Sequence, residues 1–233
     1  METPPSIFDF NFDVEPANSD RLIQAWMPEI ERAILRHETD DRLISFVIAA
    51  LRIGARSKTL SGFNLMELVE KAGYSRATFF RMFGGSMGFF LKGYQLSARL
   101  TLDVYKTHLY EQSRELDEFC KFTADVFYGV HCTIPTEIMQ FLWGEHELSQ
   151  QEFHPHLPEL SKIMADYLAQ NEPTKHLSVD LEELTDVING FDLIMLTARI
   201  SDDPKCGTPE TYRRLLRMFR GYFASLSLSI LSN

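Results

Sequence analysis

The spacing of apolar residues along the chain predicts helices almost everywhere. From Ser19 onward, apolar positions recur three or four residues apart, which is the repeat of one face of an α-helix. Prolines at positions 135, 158 and 209 suit the first turns of helices, where a missing N–H costs nothing. We therefore predict an all-α fold, with helices over residues 19–40, 41–56, 64–72, 75–83, 86–110, 114–129, 135–147, 157–170, 179–200 and 209–231.

Residues 1–18 depart from this helical pattern. Prolines disfavour a helix here, and four apolar residues alternate with polar ones in the manner of a strand: Phe8, Phe10, Phe12 and Val14. A single strand has no neighbour to pair with, so we predict a flexible arm. The alternative is an arm that docks on the body of the protein or on a partner subunit.

The charge of the chain is concentrated in separate segments. The 233 residues carry a formal net charge of −10, and 45% of them are hydrophobic, which is typical of a globular protein. Residues 41–93 carry eight basic and three acidic side chains, a net of +5, whereas both flanking segments are acidic. This basic segment is either a chance cluster on a solvated surface or an electrostatic footprint for phosphate.

The same sequence argues against several classes of protein. No apolar run approaches the roughly 18 residues of a membrane span, and the amino terminus lacks the pattern of a secretory signal. Cys120, Cys132 and Cys206 form no C-x-x-C pair, so we expect neither disulfides nor a zinc site and place the protein in the cytoplasm. No glutamate and histidine share metal-binding spacing on a well-defined helix, and no glycine loop suits phosphate, so we predict no enzyme and no cofactor.

Residues 64–83 contain the most informative pattern. Asn64 is a predicted N-cap with Glu67 three positions later, and Gly73 is a predicted helix end because glycine takes a positive φ angle without strain. Ser75 would cap a second short helix, whose phenylalanines 79 and 83 would face inward. Two helices joined in this way form either a DNA-reading helix-turn-helix or a corner inside a helical bundle.

The basic segment resembles the DNA-binding domain of TetR-type transcriptional regulators. The similarity lies in the runs Asn64-Leu65-Met66-Glu67-Leu68-Val69 and Ala72-Gly73-Tyr74-Ser75-Arg76-Ala77-Thr78-Phe79-Phe80, closing on Phe83. It implies a homodimer that binds a pseudo-palindromic DNA operator and is released by a small ligand, most simply as a repressor. It divides the chain into a flexible arm (1–18), an extra helix (19–40), a three-helix DNA-binding domain (41–93) and a ligand-sensing and dimerisation domain (94–233).

The resemblance also implies roles for single residues. Arg76, Thr78 and Arg81 would face bases, since arginine pairs bidentately with guanine and threonine contacts a base or its methyl group. Asn64 and Phe80 would lie against the DNA backbone. Apart from the resemblance, the basic residues Arg52, Arg56, Lys58 and Lys71 could supply phosphate contacts, and we include Arg56 and Lys58 among the candidate DNA-binding residues.

Several positions depart from the family's pattern where phosphate contacts are expected. Phe80 stands where tyrosine is frequent, Met82 where histidine is common, and Ser86 where a lysine usually begins the next helix. Phosphate contacts supply non-specific affinity, so their loss weakens DNA binding. A second hypothesis is therefore a regulator-like helical protein with weak or lost DNA binding that acts through protein contacts.

The last two predicted helices carry broad apolar stripes. Apolar side chains recur three or four positions apart in both, and such stripes bury more than one side of a helix. They form either the core of one chain or a surface for a partner. In TetR-like proteins these helices pair with those of a second copy, which implies a dimer interface at Phe191, Met195, Leu216, Phe219 and Phe223.

The middle of the chain is rich in aromatic and sulfur-containing residues. Ligand pockets are mostly apolar, and methionine adapts to irregular shapes. We predict a site for a small apolar or aromatic ligand, although residues at helical spacing also build ordinary core. The candidate lining residues are Phe119, Phe122, Tyr128, Met139 and Trp143.

Overall fold

The regular secondary structure of the described residues is all α-helix, and none of these residues lies in a strand. The computed structural model describes residues 10–17, 40–54, 64–133, 156–200, 205 and 207–230, and nine positions between 21 and 36. The predicted all-α class is confirmed for these residues. The predicted helix over 135–147 lies outside them.

Eight helices follow one another along the described chain. Those nine positions between 21 and 36 are helical as well. The bounds agree with the predicted helices to within a few residues, because each apolar stripe ends close to a cap or a proline. The helices are α1 (Asp41–Gly54), α2 (Leu65–Ala72), α3 (Arg76–Phe83), α4 (Ser86–Leu109), α5 (Leu116–Thr133), α6 (His156–Gln170), α7 (Leu181–Ile200) and α8 (Pro209–Ile230).

The buried apolar residues form two separate cores. Helices α1 to α3 and the first half of α4 enclose the amino-terminal core, which includes Phe46, Leu68, Phe79, Phe89 and Leu96. Helices α5 to α8 and the second half of α4 enclose the body core. Helix α4 therefore runs through both cores, and the predicted boundary at residue 93 falls within it.

The body core is built by facing helices. Phe119 on α5 packs against Phe223 on α8 at a ring-centroid distance of 5.4 Å, and Phe191 on α7 packs against Phe219 at 4.8 Å. Aromatic pairs of this kind stabilise a core by about 0.5–1.5 kcal/mol beyond the area they bury. Among the described residues, α4 contributes buried side chains to both cores.

Residues 10–17 lie on the body. Phe12 is 3% exposed and belongs to the body core, with Phe10 and Ala17 packed beside it. The backbone turns at Asn11, whose carbonyl accepts hydrogen bonds from Val14 and Glu15, so the alternation of apolar residues produces no strand here. The flexible-arm interpretation does not describe these eight residues, because a buried phenylalanine anchors them.

No helix in the described ranges combines the length and apolar character that a membrane span requires.

Candidate functional site

Helices α2 and α3 are joined by a turn whose caps follow from the sequence. The Asn64 side chain accepts a hydrogen bond from the amide of Met66 at 2.8 Å, which satisfies one free N–H of the first turn of α2. Gly73 ends α2 with a φ of 76°, and the Ser75 side chain accepts from the amide of Thr78 to begin α3. Only glycine adopts that φ without strain. The cap predictions at these three positions are confirmed.

Aromatic side chains fix α3 against its neighbours. Phe79 is fully buried, and its ring lies 5.6 Å from Phe46 on α1 and 5.5 Å from Phe89 on α4. Phe83, one turn later, lies 5.5 Å from Phe46 and 5.0 Å from Phe89. Because Phe79 and Phe83 occupy the inner side of α3, the exposed residues Arg76, Phe80 and Arg81 lie on its outer side.

The residues predicted to face DNA lie on the outer side of α2 and α3. Arg76 and Arg81 are exposed, and neither has a hydrogen-bond or ion-pair partner among the described residues. Phe80 is 46% exposed. The Thr78 hydroxyl lies 3.1 Å from that of Ser75 and thus takes part in the cap, while retaining capacity for a further bond.

The basic side chains of α1 and α2 are paired with acids. Arg42 holds Asp40 through two hydrogen bonds, Nε to Oδ1 at 2.9 Å and Nη2 to Oδ2 at 2.7 Å. These bonds lower the pKa of Asp40 to about 2. Arg52 is 2.9 Å from Glu31, and Lys71 is 2.5 Å from Glu67. Such pairing leaves the two α3 arginines as the unpaired guanidinium groups of helices α1 to α3.

The start of α4 has no side-chain cap. Gly84 and Gly85 link α3 to α4 with φ angles of 69° and 153°, and Gly85, the N-cap residue, has no side chain that could cap the first N–H groups of α4. Ser86 is exposed beside these groups. Free N–H groups at a helix start attract anions.

Four residues of the predicted sites lie outside the described residues: Arg56 and Lys58 of the DNA-binding site, and Met139 and Trp143 of the ligand site.

The three described members of the predicted ligand site are buried against protein. Phe119 stacks on Tyr167 at 5.7 Å, Phe122 receives the Arg114 guanidinium at 4.4 Å, and Tyr128 packs on Tyr212 at 5.4 Å. Each ring therefore already has partners, and a ligand would reach it only by displacing one.

A buried carboxyl lies close to these aromatic rings. Asp125 on α5 accepts a hydrogen bond from the Tyr212 hydroxyl at 2.6 Å, and Lys121 lies 2.6 Å from its other oxygen. Burial raises the pKa of Asp125, and these two bonds partly offset the effect. Tyr212 in turn has a raised pKa, chiefly because its own hydroxyl is removed from water.

A histidine joins α5 to α7. The Nδ1 of His131 donates to the carbonyl of Phe127 at 2.8 Å, and its Nε2 lies 2.7 Å from Oδ1 of Asp192. Both ring nitrogens therefore face oxygen acceptors, one on α5 and one on α7. This contact ties α7 to the body core.

The side chains predicted to form a dimer interface are core residues of the single chain, which corrects that assignment. All five are at most 5% exposed without any partner: Phe191, Met195, Leu216, Phe219 and Phe223. Side chains that are already buried offer no surface to a second copy. Helical periodicity identifies a buried face but does not say what covers it. The exposed large apolar residues of α7 and α8 are Leu181, Leu193, Ile194 and Met218.

Helix α8 carries one polar group without a hydrogen-bond partner among the described residues. The Tyr222 hydroxyl on α8 is buried and has no hydrogen-bond partner among the described residues. Burial, together with the charges of Glu183 and Asp180, raises its pKa to about 12. An unpaired buried hydroxyl is costly, so a partner or water at this position would be stabilising.

Sequence reasoning missed two arrangements in the body. Asn171 accepts from the amide of Arg114 at 3.2 Å and donates to its carbonyl at 2.7 Å, which closes the turn between α4 and α5. Phe12 enters the aromatic group of Tyr128 and Tyr212. The alternation of phenylalanines in the arm was the one signal for the second contact, and no pattern marks the first.

Comparison with protein-family models, with curated proteins and with solved structures finds no match for this chain.

Proposed function

We propose that the chain is a TetR-like transcriptional regulator, acting as a repressor, that binds a pseudo-palindromic DNA operator as a homodimer and releases it on binding a small ligand. The observation that carries the proposal is the arrangement of α2 and α3. A short capped helix supports a second one, whose inner side is locked by Phe79 and whose outer side presents Arg76 and Arg81 without partners. A helix held in this way can enter a major groove.

The charge distribution supports a contact confined to this face. The chain is acidic overall, and the net charge of +5 in residues 41–93 stands against a total of −10. Arg42, Arg52 and Lys71 are engaged with carboxylates, whereas the α3 arginines are unpaired. DNA phosphates would be repelled elsewhere and attracted here.

TetR-type regulators usually have a lysine where this chain has Ser86, and the uncapped start of α4 would provide the phosphate contact in its place. Its first N–H groups lie next to the recognition helix and lack a side-chain partner. A DNA phosphate bound there would receive backbone hydrogen bonds and the favourable end of the helix dipole.

The homodimer would use α7 and α8 through their exposed residues. Ile194 and Met218 are exposed apolar side chains on these helices. A two-fold dimer would present two copies of α3 at a separation of about 34 Å, one turn of DNA. The ligand would bind in the body and favour a different separation, which shifts the population away from the DNA-bound state.

The salt dependence of binding to random-sequence duplex DNA tests the proposal. Anisotropy titrations at about 50 and 200 mM salt should show steeply falling affinity, because bound phosphates release counterions. Replacing Arg76 and Arg81 by alanine should reduce both the affinity for DNA and the slope of its logarithm against the logarithm of salt concentration. Arg217→Ala removes an exposed arginine from α8 and is the matched control. Absence of binding at low salt would overturn the proposal.

The second candidate is a regulator-like protein that acts through protein contacts. It is favoured by two exposed apolar residues on the same face, Met66 at 54% and Phe80 at 46%. Apolar side chains on an outer surface suit a protein partner better than a phosphate backbone. The salt titration separates the two candidates, since this one predicts no binding to random duplex DNA.

A further inference from the structure

The docked arm presents one ring to the body. The Phe12 ring lies edge-on to Tyr128 at 5.1 Å and 5.8 Å from Tyr212, and it is almost completely buried. Phe10 stacks on Phe12 at 5.7 Å and is only half-buried. We call the place between Tyr128 and Tyr212 the aromatic seat.

The aromatic seat is held in shape by the body alone. The Tyr128 hydroxyl donates to the carbonyl of Thr208 at 2.8 Å, and the Tyr212 hydroxyl donates to Asp125 at 2.6 Å. Neither bond involves a residue of the arm. The two walls are therefore preorganised for a ring, whichever molecule supplies it.

The remaining attachments of the arm are weak. The Ala17 amide donates to the carbonyl of Gly207 at 2.7 Å, and Asp13 lies 3.6 Å from Arg213 with both side chains more than half exposed. Exposed ion pairs contribute little to stability. Phe12 is the one buried side chain among residues 10–17.

The arm continues into a segment that contacts the amino-terminal domain. Leu22 and Ala25 lie in the body core, Glu31 is 2.9 Å from Arg52 on α1, and Arg36 is 3.4 Å from Asp103 on α4. Residues 10–36 therefore connect the aromatic seat to the helix that begins the proposed DNA-binding domain.

We propose that the aromatic seat is a binding site for a phenylalanine-sized aromatic ring, which Phe12 of the arm fills in this structure. A free aromatic ligand that enters the seat displaces Phe12 together with the turn of residues 10–17. This inference rests on the proposed function and names the class of ligand that the body senses. It also explains why Tyr128, one of the predicted ligand residues, has a ring packed against it: the occupant is Phe12 of the same chain.

A peptide of residues 8–17, labelled with fluorescein, tests the proposal on the full-length protein. Phe12→Ala empties the seat, so the peptide should bind this variant at least about tenfold more tightly than it binds wild type, where the tethered arm competes at millimolar effective concentration. The same peptide with Phe12→Ala should bind neither protein. N-acetylphenylalaninamide should displace the bound peptide. Phe10→Ala, which removes a half-buried ring, should behave like wild type.

Hydrogen exchange of the wild-type protein keeps the test valid if Phe12→Ala does not fold. The amide of Ala17, bonded to Gly207, should exchange faster when N-acetylphenylalaninamide is added, and the amide of Asn171, bonded to Tyr167 in the body, should not. The proposal would be overturned if the peptides with and without Phe12→Ala bound equally well, or if the exchange rate of the Ala17 amide did not change when N-acetylphenylalaninamide was added. None of these measurements involves DNA, so their result does not depend on whether the protein binds DNA as proposed.

Discussion

The backbone of Gly88 lies so close to the carbonyl oxygen of Phe83 that a Cβ atom at Gly88 would overlap it. This contact joins the first turn of α4 to the last residue of α3, the proposed recognition helix. Gly93, five positions later on the same helix, has open space around it.

Gly88→Ala should therefore destabilise the amino-terminal domain. The methyl group would push α3 away from α4, and such overpacking costs about 1–3 kcal/mol. Gly93→Ala is the matched control and should leave stability unchanged or raise it by up to about 1 kcal/mol, because alanine favours helix. Urea unfolding followed by circular dichroism measures both. Equal stability of the two variants would show that α3 and α4 do not meet as described.

Asn171→Leu should strongly destabilise the body. Asn171 is buried and bonds both the amide and the carbonyl of Arg114, as well as the Ser113 hydroxyl. Removing it leaves these groups unsatisfied, which costs about 2–3 kcal/mol. Asn189→Leu, at an exposed position of α7, should change the free energy of unfolding by less than about 0.5 kcal/mol. A small effect of Asn171→Leu would contradict the role given to this side chain.

The raised pKa of Asp125 makes its contribution to stability depend on pH. Burial favours the protonated carboxyl in the folded state, so the stability that Asp125 provides is present below its ordinary pKa of 3.8 and is lost as pH rises through the folded value. Asp125→Asn keeps an acceptor for Tyr212 without the charge. The variant should gain stability relative to wild type between acidic and neutral pH, as measured by urea unfolding across that range. A difference that is constant with pH would indicate an unperturbed carboxyl.

Replacing exposed apolar residues of α7 and α8 should weaken the proposed dimer. Ile194→Lys combined with Met218→Lys would place two charges on the proposed interface, where unpaired charges are costly on burial. Sedimentation should show a shift from dimer to monomer. Ala224→Lys, at another exposed position of α8, should leave the dimer intact. If the wild-type protein sediments as a monomer, the proposed homodimer is wrong.

Local features of the fold follow from the sequence, and long-range ones do not. The caps at Asn64, Gly73 and Ser75 depend on neighbouring backbone groups, so residue type alone predicts them. The position of Phe12 depends on Tyr128 and Tyr212, more than a hundred residues away in the chain. The sequence therefore predicted a flexible arm and left a docked arm only as the alternative.

The sequence also does not predict which residues cover the apolar faces of α7 and α8. Phe191 and Phe219 recur at helical spacing, which predicts that they are buried but not whether their own chain or another covers them. The structure assigns them to the core of one chain. The exposed Ile194 and Met218 could be recognised only once that core had been described.

Selection of bound duplexes from a random DNA pool tests the central proposal most directly. The account predicts enrichment of two inverted half-sites whose centres lie about 10–10.5 base pairs, or a multiple of that distance, apart, as a two-fold dimer with α3 in successive major grooves requires. Arg76→Ala should weaken binding to the selected site by roughly 1–3 kcal/mol and relax the sequence at one position of each half-site. A pool that remains random after selection would contradict DNA recognition by this chain.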